Sequence, residues 1–457
     1  MPSITKIMPR TKRIALCSPG MLRGSYTQTL GLLFLAHLIK DKFGDKVEFV
    51  SIQPKDIKNI TPGNTDALLV SILGPFPALE YIKATGFKKP PVLTLVGGPG
   101  VNCPLMLTPY ADAVMLGRGE EAIFHGLAGD FTGMCTLRTG TRENSVKIFP
   151  ATMLDKGHGS CGCLSRCRFC MYSWGNVYAS AQAPRKDLRY LALTSPNMEL
   201  LLKDLHFSML GKTVGKKCIV GLDVMQPGDQ KIVRKPASLA LLHSVFKRLG
   251  AEAREAGATG RYFLRMYTIS CYPWHKETTL SYLENALDNT GWPDGCSCEI
   301  HVGMSHFEPS LFTPLECCAV NLNNDRHWLL DHRRLSTYKR LTGPYLRFFP
   351  FQTGSAKNAV YSTILARSSD PYQTPRDLLS TDKYEDLLPK YESLIGWQKR
   401  MPAPWIQRVN DPRADVRAAY AAIREIRPDL DIPTPEYPDI VSEDSRHFLP
   451  IYDKKII

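Results

Sequence analysis

Between residues 13 and 125 short apolar runs alternate with stretches of helical periodicity. Arg13-Ile-Ala-Leu-Cys-Ser-Pro-Gly20 is apolar and ends in turn residues, which predicts a strand. Leu30, Leu33, Phe34, Leu38 and Ile39 fall near helical spacing and predict a helix over 27–43. Residues 47–52 predict a second strand. Residues 66–74 predict a third, apolar nearly throughout, as a parallel strand covered on both faces should be. A helix over 75–86, a strand over 92–99, a strand over 113–117 and a helix from about Glu121 complete the series. This alternation predicts an α/β, doubly wound, Rossmann-like domain over 10–125, with its ligand site at the carboxyl ends of the strands.

Residues 126–155 are polar and turn-rich, a linker with room for a hairpin. From 156 to 325 strand–helix units return, with strands over 217–225, 262–270 and 297–304 and helices over 237–256 and 277–290. These predict a partial (β/α) barrel, whose chemistry belongs at the carboxyl ends of its strands. From 326 to 457 helical stretches near 325–342 and 377–400 alternate with Pro-rich connections, which predicts a mixed, mostly helical cap or substrate-docking domain.

Composition narrows the setting. The chain has 457 residues, enough for two or three cores, and no apolar run of membrane-spanning length. No signal-like apolar core follows the basic N-terminus, so no membrane partner is expected and the cytoplasm is the expected compartment. Thirteen cysteines without a small-scaffold spacing fit a reducing environment. The net charge of +13 allows an acidic or phosphate-bearing partner. The basic residues are dispersed, and no basic run interleaved with aromatics marks a nucleic-acid surface.

The candidate chemistry lies in Gly-Ser-Cys-Gly-Cys-Leu-Ser-Arg-Cys-Arg-Phe-Cys, where Cys163, Cys167 and Cys170 form CxxxCxxC. One short loop can reach three irons of a cubic 4Fe–4S cluster and leave the fourth for a reactive ligand. A zinc site would usually bring a second CxxC pair, which the sequence lacks. A thioredoxin-like centre would use Cys167 and Cys170 and leave Cys163 over. Cys161 breaks the spacing and stands outside the ligand set, and His158 reads as an incidental loop residue or, in the alternative, a hydrogen-bond donor to the cysteine loop. Cys296, Cys298, Cys317 and Cys318 match no metal spacing and read as buried thiols. The three-cysteine pattern resembles that of the radical S-adenosylmethionine (SAM) enzymes.

A second resemblance lies upstream. A strand ending in Gly97-Gly98-Pro99, followed by Tyr-Ala-Asp-Ala-Val-Met-Leu-Gly117-Arg-Gly119-Glu120, resembles the cobalamin-binding domain that precedes the barrel in cobalamin-dependent radical SAM enzymes. Glycine-ended strands would let backbone approach a flat corrin. Ser71 and Gly74 would lie beside its lower face, and no Asp-x-His-x-x-Gly stretch offers cobalt a histidine. Phe307-x-Pro309-x-x-x-Thr313-Pro314 resembles the segment that ends the barrel in this group. The resemblance implies SAM contacts from Phe169, Met171 and Tyr172, with Asp223 and Arg265, near strand ends, as further candidates for ribose and carboxylate. Ordinary ion pairing is the alternative for those last two.

The implied cofactors are a 4Fe–4S cluster, SAM and cobalamin. The implied activity is methylation of an unactivated sp3 carbon through a 5′-deoxyadenosyl radical and methylcobalamin. Within the group the chain most resembles the enzyme acting on a glutamine α-carbon in methyl-coenzyme M reductase. The implied partners are therefore a peptide or protein substrate and an electron donor such as ferredoxin or flavodoxin. The alternatives are an RNA-modifying radical SAM enzyme (a methyl- or methylthiotransferase), a natural-product C-methyltransferase and a non-enzymatic metal sensor.

Overall fold

The computed structural model describes residues 12–20, 28–98, 100–117, 119–137, 146–149, 167–170, 217–221, 228–235, 260–275, 296–322, 346–352, 355–399, 406–407 and 411–436, with residues 244, 247, 251 and 255 as isolated helical positions. Its first unit is a five-stranded, wholly parallel sheet. The strands are β1 (Lys12–Cys17), β2 (Val47–Ser51), β3 (Ala67–Ser71), β4 (Leu93–Gly97) and β5 (Ala113–Val114), in the order β2-β1-β3-β4-β5. That is the doubly wound order the sequence predicts, and the winding reverses between β1 and β3.

The two-residue period of the strands divides the core. Ile14, Leu16, Leu69 and Leu95 face one side, under α1 (Leu30–Phe43) and α4 (Gly119–Leu127). Ala15, Cys17, Leu68, Val70 and Val96 face the other, under α2 (Pro75–Ala84) and the short α3 (Pro104–Leu107). The second face also receives α6 (Ala356–Arg367), from far along the chain. Phe76 of α2 lies 5.3 Å from Tyr361 of α6, ring centre to ring centre. The C-terminal helices therefore share a core with the first sheet.

The second sheet is also parallel, in the order β11-β10-β9-β8. Its strands are β8 (Lys217–Gly221), β9 (Gly260–Ser270), β10 (Cys296–His306) and β11 (Leu346–Gln352). Parallel strands in sequence order are the arrangement of a (β/α) unit, and the fourth strand comes from beyond residue 325. Residues 244, 247, 251 and 255 are helical, within the helix predicted over 237–256. The helices predicted over 277–290 and 325–342 lie outside the described residues. The predicted stretch over 377–400 resolves into α7 (Gln373–Ser380) and α8 (Leu388–Ile395).

The linker differs from expectation. Among the described residues β7 (Val146–Phe149) pairs parallel, not as a hairpin strand, with β6 (Leu116–Gly117) and with β12 (Ile406–Gln407). Parallel pairing satisfies the main chain of β7 through partners distant in sequence, which no local turn signal announces.

The ends of β3 and β4 are laced together. The Ile72 N–H donates to the Gly97 carbonyl at 2.8 Å, and the Gly100 N–H to the Ile72 carbonyl at 2.9 Å. Gly98 has φ +111°, and a Cβ there would stand 2.6 Å from the Ile72 carbonyl oxygen. Glycine is thus demanded by backbone approach within the protein itself. Gly98→Ala should lower stability by about 2 kcal/mol or more, read as a drop in denaturant midpoint without cofactor present. An unchanged midpoint would refute this reason for the glycine.

Candidate functional site

Cys167 and Cys170 lie on a tight turn closed by the Cys170 N–H donating to the Cys167 carbonyl at 3.2 Å. Cys167 is buried and Cys170 half-buried. Arg168, between them, is also buried, and a buried guanidinium needs acceptors on every side. Its Nε donates to Asp415 Oδ1 at 2.9 Å. Its Nη1 donates to the carbonyls of Lys231 at 2.9 Å and Ile232 at 3.1 Å, in α5 (Asp229–Val233). Asp415 belongs to α9 (Arg413–Ile426) and also accepts from Arg234 at 3.0 Å. The main chain of Arg168 is held as well. Its N–H donates to Val233 at 2.8 Å, and its carbonyl accepts from Leu315 at 3.1 Å.

Leu315 follows the Phe307–Pro314 segment, so the cysteine turn and that segment are directly bonded. The segment is tightly held. Phe312 is buried with φ +69°, a costly conformation for a bulky residue. Its N–H donates to the buried Glu316 carboxylate. Arg367 of α6 donates to the carbonyls of Glu316, Cys318, Leu394 and Gly396. Cys317 and Cys318 are fully buried, and burial pushes the Cys318 thiol up to about 12, so it stays protonated among core side chains.

The expected residues fall into groups. Ser71 and Gly97 are paired across β3 and β4, with Gly98 beside them. Gly74 and Gly100 line a cavity of about 370 Å³ at the same end of the sheet, and a Cβ on Gly74 would meet open space. Gly117 ends β6, and Glu120 stands in the first turn of α4. Gly119 packs against Leu35 of α1, which a Cβ would touch at 2.9 Å. Phe169 packs against the core. Arg265 stands mid-strand in β9, paired with Ile219 and His301, well before the strand end where it is expected. The strand begins at Gly260 and runs through to Ser270, which puts Arg265 in its interior. Cys163, Met171, Tyr172, Asp223 and Pro99 lie outside the described residues.

Several buried polar groups gave no sequence signal. At the carboxyl ends of β1, β2 and β3, Gln28 Nε2 donates to the Leu16 carbonyl at 2.9 Å and to Ser51 Oγ at 2.7 Å. There too, Thr29 Oγ1 meets Ser71 Oγ at 2.9 Å. Gln28 Oε1 is buried at this crossover point without a hydrogen-bond partner among the described residues. Thr268 Oγ1 and His306 Nε2, on one face of neighbouring strands β9 and β10, likewise have no hydrogen-bond partner among the described residues. Burial pushes His306 down to about 4, so the imidazole is neutral near pH 7. Asp229 is buried and accepts from Trp274 at 2.9 Å and His275 at 2.8 Å, fixing the turn after β9.

The cysteine turn offers two soft sulfur donors on a rigid frame, which suits iron–sulfur or zinc. Among the described residues no cluster of three or more metal-ligating side chains occurs; the third cysteine of the motif lies outside them. The cavity at Gly74 accepts a small ligand or the rim of a larger, flat one. No helix among the described residues is long and apolar enough to cross a membrane.

No protein-family model matches the chain. No curated protein matches it. One solved structure similar to it is the radical S-adenosylmethionine methyltransferase TsrM from Kitasatospora setae, with cobalamin and a [4Fe-4S] cluster bound. The identity is 13% and the TM-score 0.42, over 92% of this chain and 100% of that one. A likeness of that degree carries no functional argument.

The Arg168–Asp415 pair has a direct consequence. Asp415→Ala leaves a buried cation short of its carboxylate and should cost about 3 kcal/mol or more in stability. Asp415→Asn keeps an acceptor and should lose less. Denaturant midpoints check this, and an unchanged midpoint in Asp415→Ala would contradict it.

Proposed function

We propose that the chain is a cobalamin-dependent radical SAM C-methyltransferase. The observation that carries this reading is the Cys167–Cys170 turn, bonded to the segment after β10 and clamped by α5 and α9. A cysteine turn bonded to the segment that follows a parallel strand is a setting for cluster chemistry, and a doubly wound domain supplies room for a second cofactor. Cys163, Cys167 and Cys170 hold the cluster. Phe169, Met171, Tyr172 and Asp223 are the residues for SAM; Arg265, in the interior of β9, is left out of that set. Ser71, Gly74, Gly97, Gly98, Pro99, Gly117, Gly119 and Glu120 border the corrin.

With these cofactors bound, the site supplies a carbon-centred oxidant from SAM and a methyl group carried on cobalt. The protein's own residues orient and exclude. Arg168 and Asp415 keep the cysteine turn in one conformation. The neutral His306 and Thr268 present polar atoms on one face of β9 and β10 without a charge to bury. The buried walls formed by Tyr272, Trp274 and Phe307, with Tyr272 and Trp274 stacked at 4.6 Å, keep water from the end of the second sheet.

The substrate in this reading is a peptide segment of a larger protein, narrowly a glutamine α-carbon in methyl-coenzyme M reductase, with electrons from a ferredoxin or flavodoxin. The excess of positive charge supports an acidic partner. Incubating the anaerobically reconstituted protein with a glutamine-containing peptide, SAM, cobalamin and a reductant should add the mass of one CH₂, with 5′-deoxyadenosine released alongside. Deoxyadenosine with an unmethylated peptide, but methylated RNA in a parallel assay, would replace this reading with the nucleic-acid one.

A further inference from the structure

The cavity at Gly74 lies between three parts of the chain far apart in sequence. Gly74 and Asn102 come from the loops after β3 and β4, Glu308 and Ser310 from the segment after β10, and Asn358 from the first turn of α6. Its volume, about 370 Å³, is that of a small-ligand site, and Leu73, Phe76 and the ring of Pro75 give it apolar walls.

Its polar groups are few and fixed. Asn102 Nδ2 donates to Ser362 Oγ at 2.6 Å, and the Ser362 hydroxyl in turn hydrogen-bonds the Glu308 carboxyl. Among the described residues Glu308 has no cationic partner, and burial raises its carboxyl above the usual range. Asn358 Oδ1 accepts from Ser355 Oγ at 3.0 Å, which leaves the Asn358 amide N–H₂ for the cavity. The cavity is therefore lined by an amide donor at Asn358 and by acceptors at Glu308 and at Asn102 Oδ1, the latter buried without a hydrogen-bond partner among the described residues, against apolar walls.

The charge of a ligand follows from what surrounds these groups. The N-termini of α2 and α6 both border the cavity, and their positive ends disfavour an ammonium group. A carboxylate would face Glu308. A neutral group with one acceptor and one N–H donor meets neither penalty.

We propose that this cavity binds a primary carboxamide, its carbonyl oxygen accepting from Asn358 Nδ2 and its N–H₂ donating to Glu308. Two sources carry that chemistry, the amide-bearing edge of a corrin and the side chain of glutamine or asparagine in a peptide. Only the choice between sources rests on the function proposed above.

The test is equilibrium binding to the purified full chain of two probes, dicyanocobinamide followed by absorbance and N-acetylglutamine N-methylamide followed by ligand-observed NMR. Their carboxylate counterparts, cobyrinic acid and N-acetylglutamate N-methylamide, serve as controls. At least one amide probe should bind and its carboxylate counterpart should bind far more weakly. The probe that binds identifies the source. Asn358→Asp, which keeps shape and suits a helix N-terminus while reversing the donor, should weaken binding about tenfold. Glu308→Leu should do the same, and Glu308→Gln, which retains an acceptor, should lose less. Binding by neither amide, equal binding of the carboxylates, or unchanged affinity in both Asn358→Asp and Glu308→Leu would overturn the proposal. Amide binding by a protein that never cleaves SAM would uphold it and count against the proposed reaction alone.

Discussion

A buried guanidinium governs how this molecule is put together. Arg168 sits between two cysteines on a tight turn, and it is 8% exposed. Its charge must be met inside the protein, and Asp415 together with the α5 carbonyls meets it. The requirement draws α9, more than two hundred residues away, onto the cysteine turn. Such a pair adds little net stability over an apolar contact, because both ions lose water. What it adds is register: one carboxylate on α9 meets Arg168 and Arg234 together. The cysteines inherit that fixed placement.

The same logic recurs at Arg367, whose guanidinium gathers four carbonyls from the end of α8 and the segment after Leu315. Arg168 and Arg367 thus brace the same segment from two sides. The segment's other end, at Glu308, borders the cavity lined by the first sheet's loops. The cysteine turn, the ends of the second sheet and the first sheet's ligand end are joined through about ten residues of chain.

Much of the first sheet was legible in the sequence because its strands are covered on both faces. Residues 67–71 are buried without exception, so the run reads as continuously apolar. The C-terminal half was less legible for the converse reason. α6 is buried nearly all round yet carries Ser362, Thr363 and Arg367 inside, so it shows neither an apolar stripe nor a solvent face. The cysteine motif stands out in the sequence by its spacing, but nothing local marks Asp415 as the partner of Arg168 between those cysteines. Glu308, Asn102 and Asn358 are ordinary surface-type residues in sequence and meet only through the fold. Gly98 was legible as an obligatory glycine, with a different reason: it clears the Ile72 backbone.

The account stands on the claim that the cysteine turn carries a cluster with one iron open to SAM. Electron paramagnetic resonance of the anaerobically reconstituted, reduced full chain tests this most directly. The account predicts a 4Fe–4S signal whose g values move when SAM is added, retained in Cys161→Ala and lost in Cys167→Ala. A protein that takes up zinc in place of iron, or a cluster signal that SAM leaves unchanged, would contradict it.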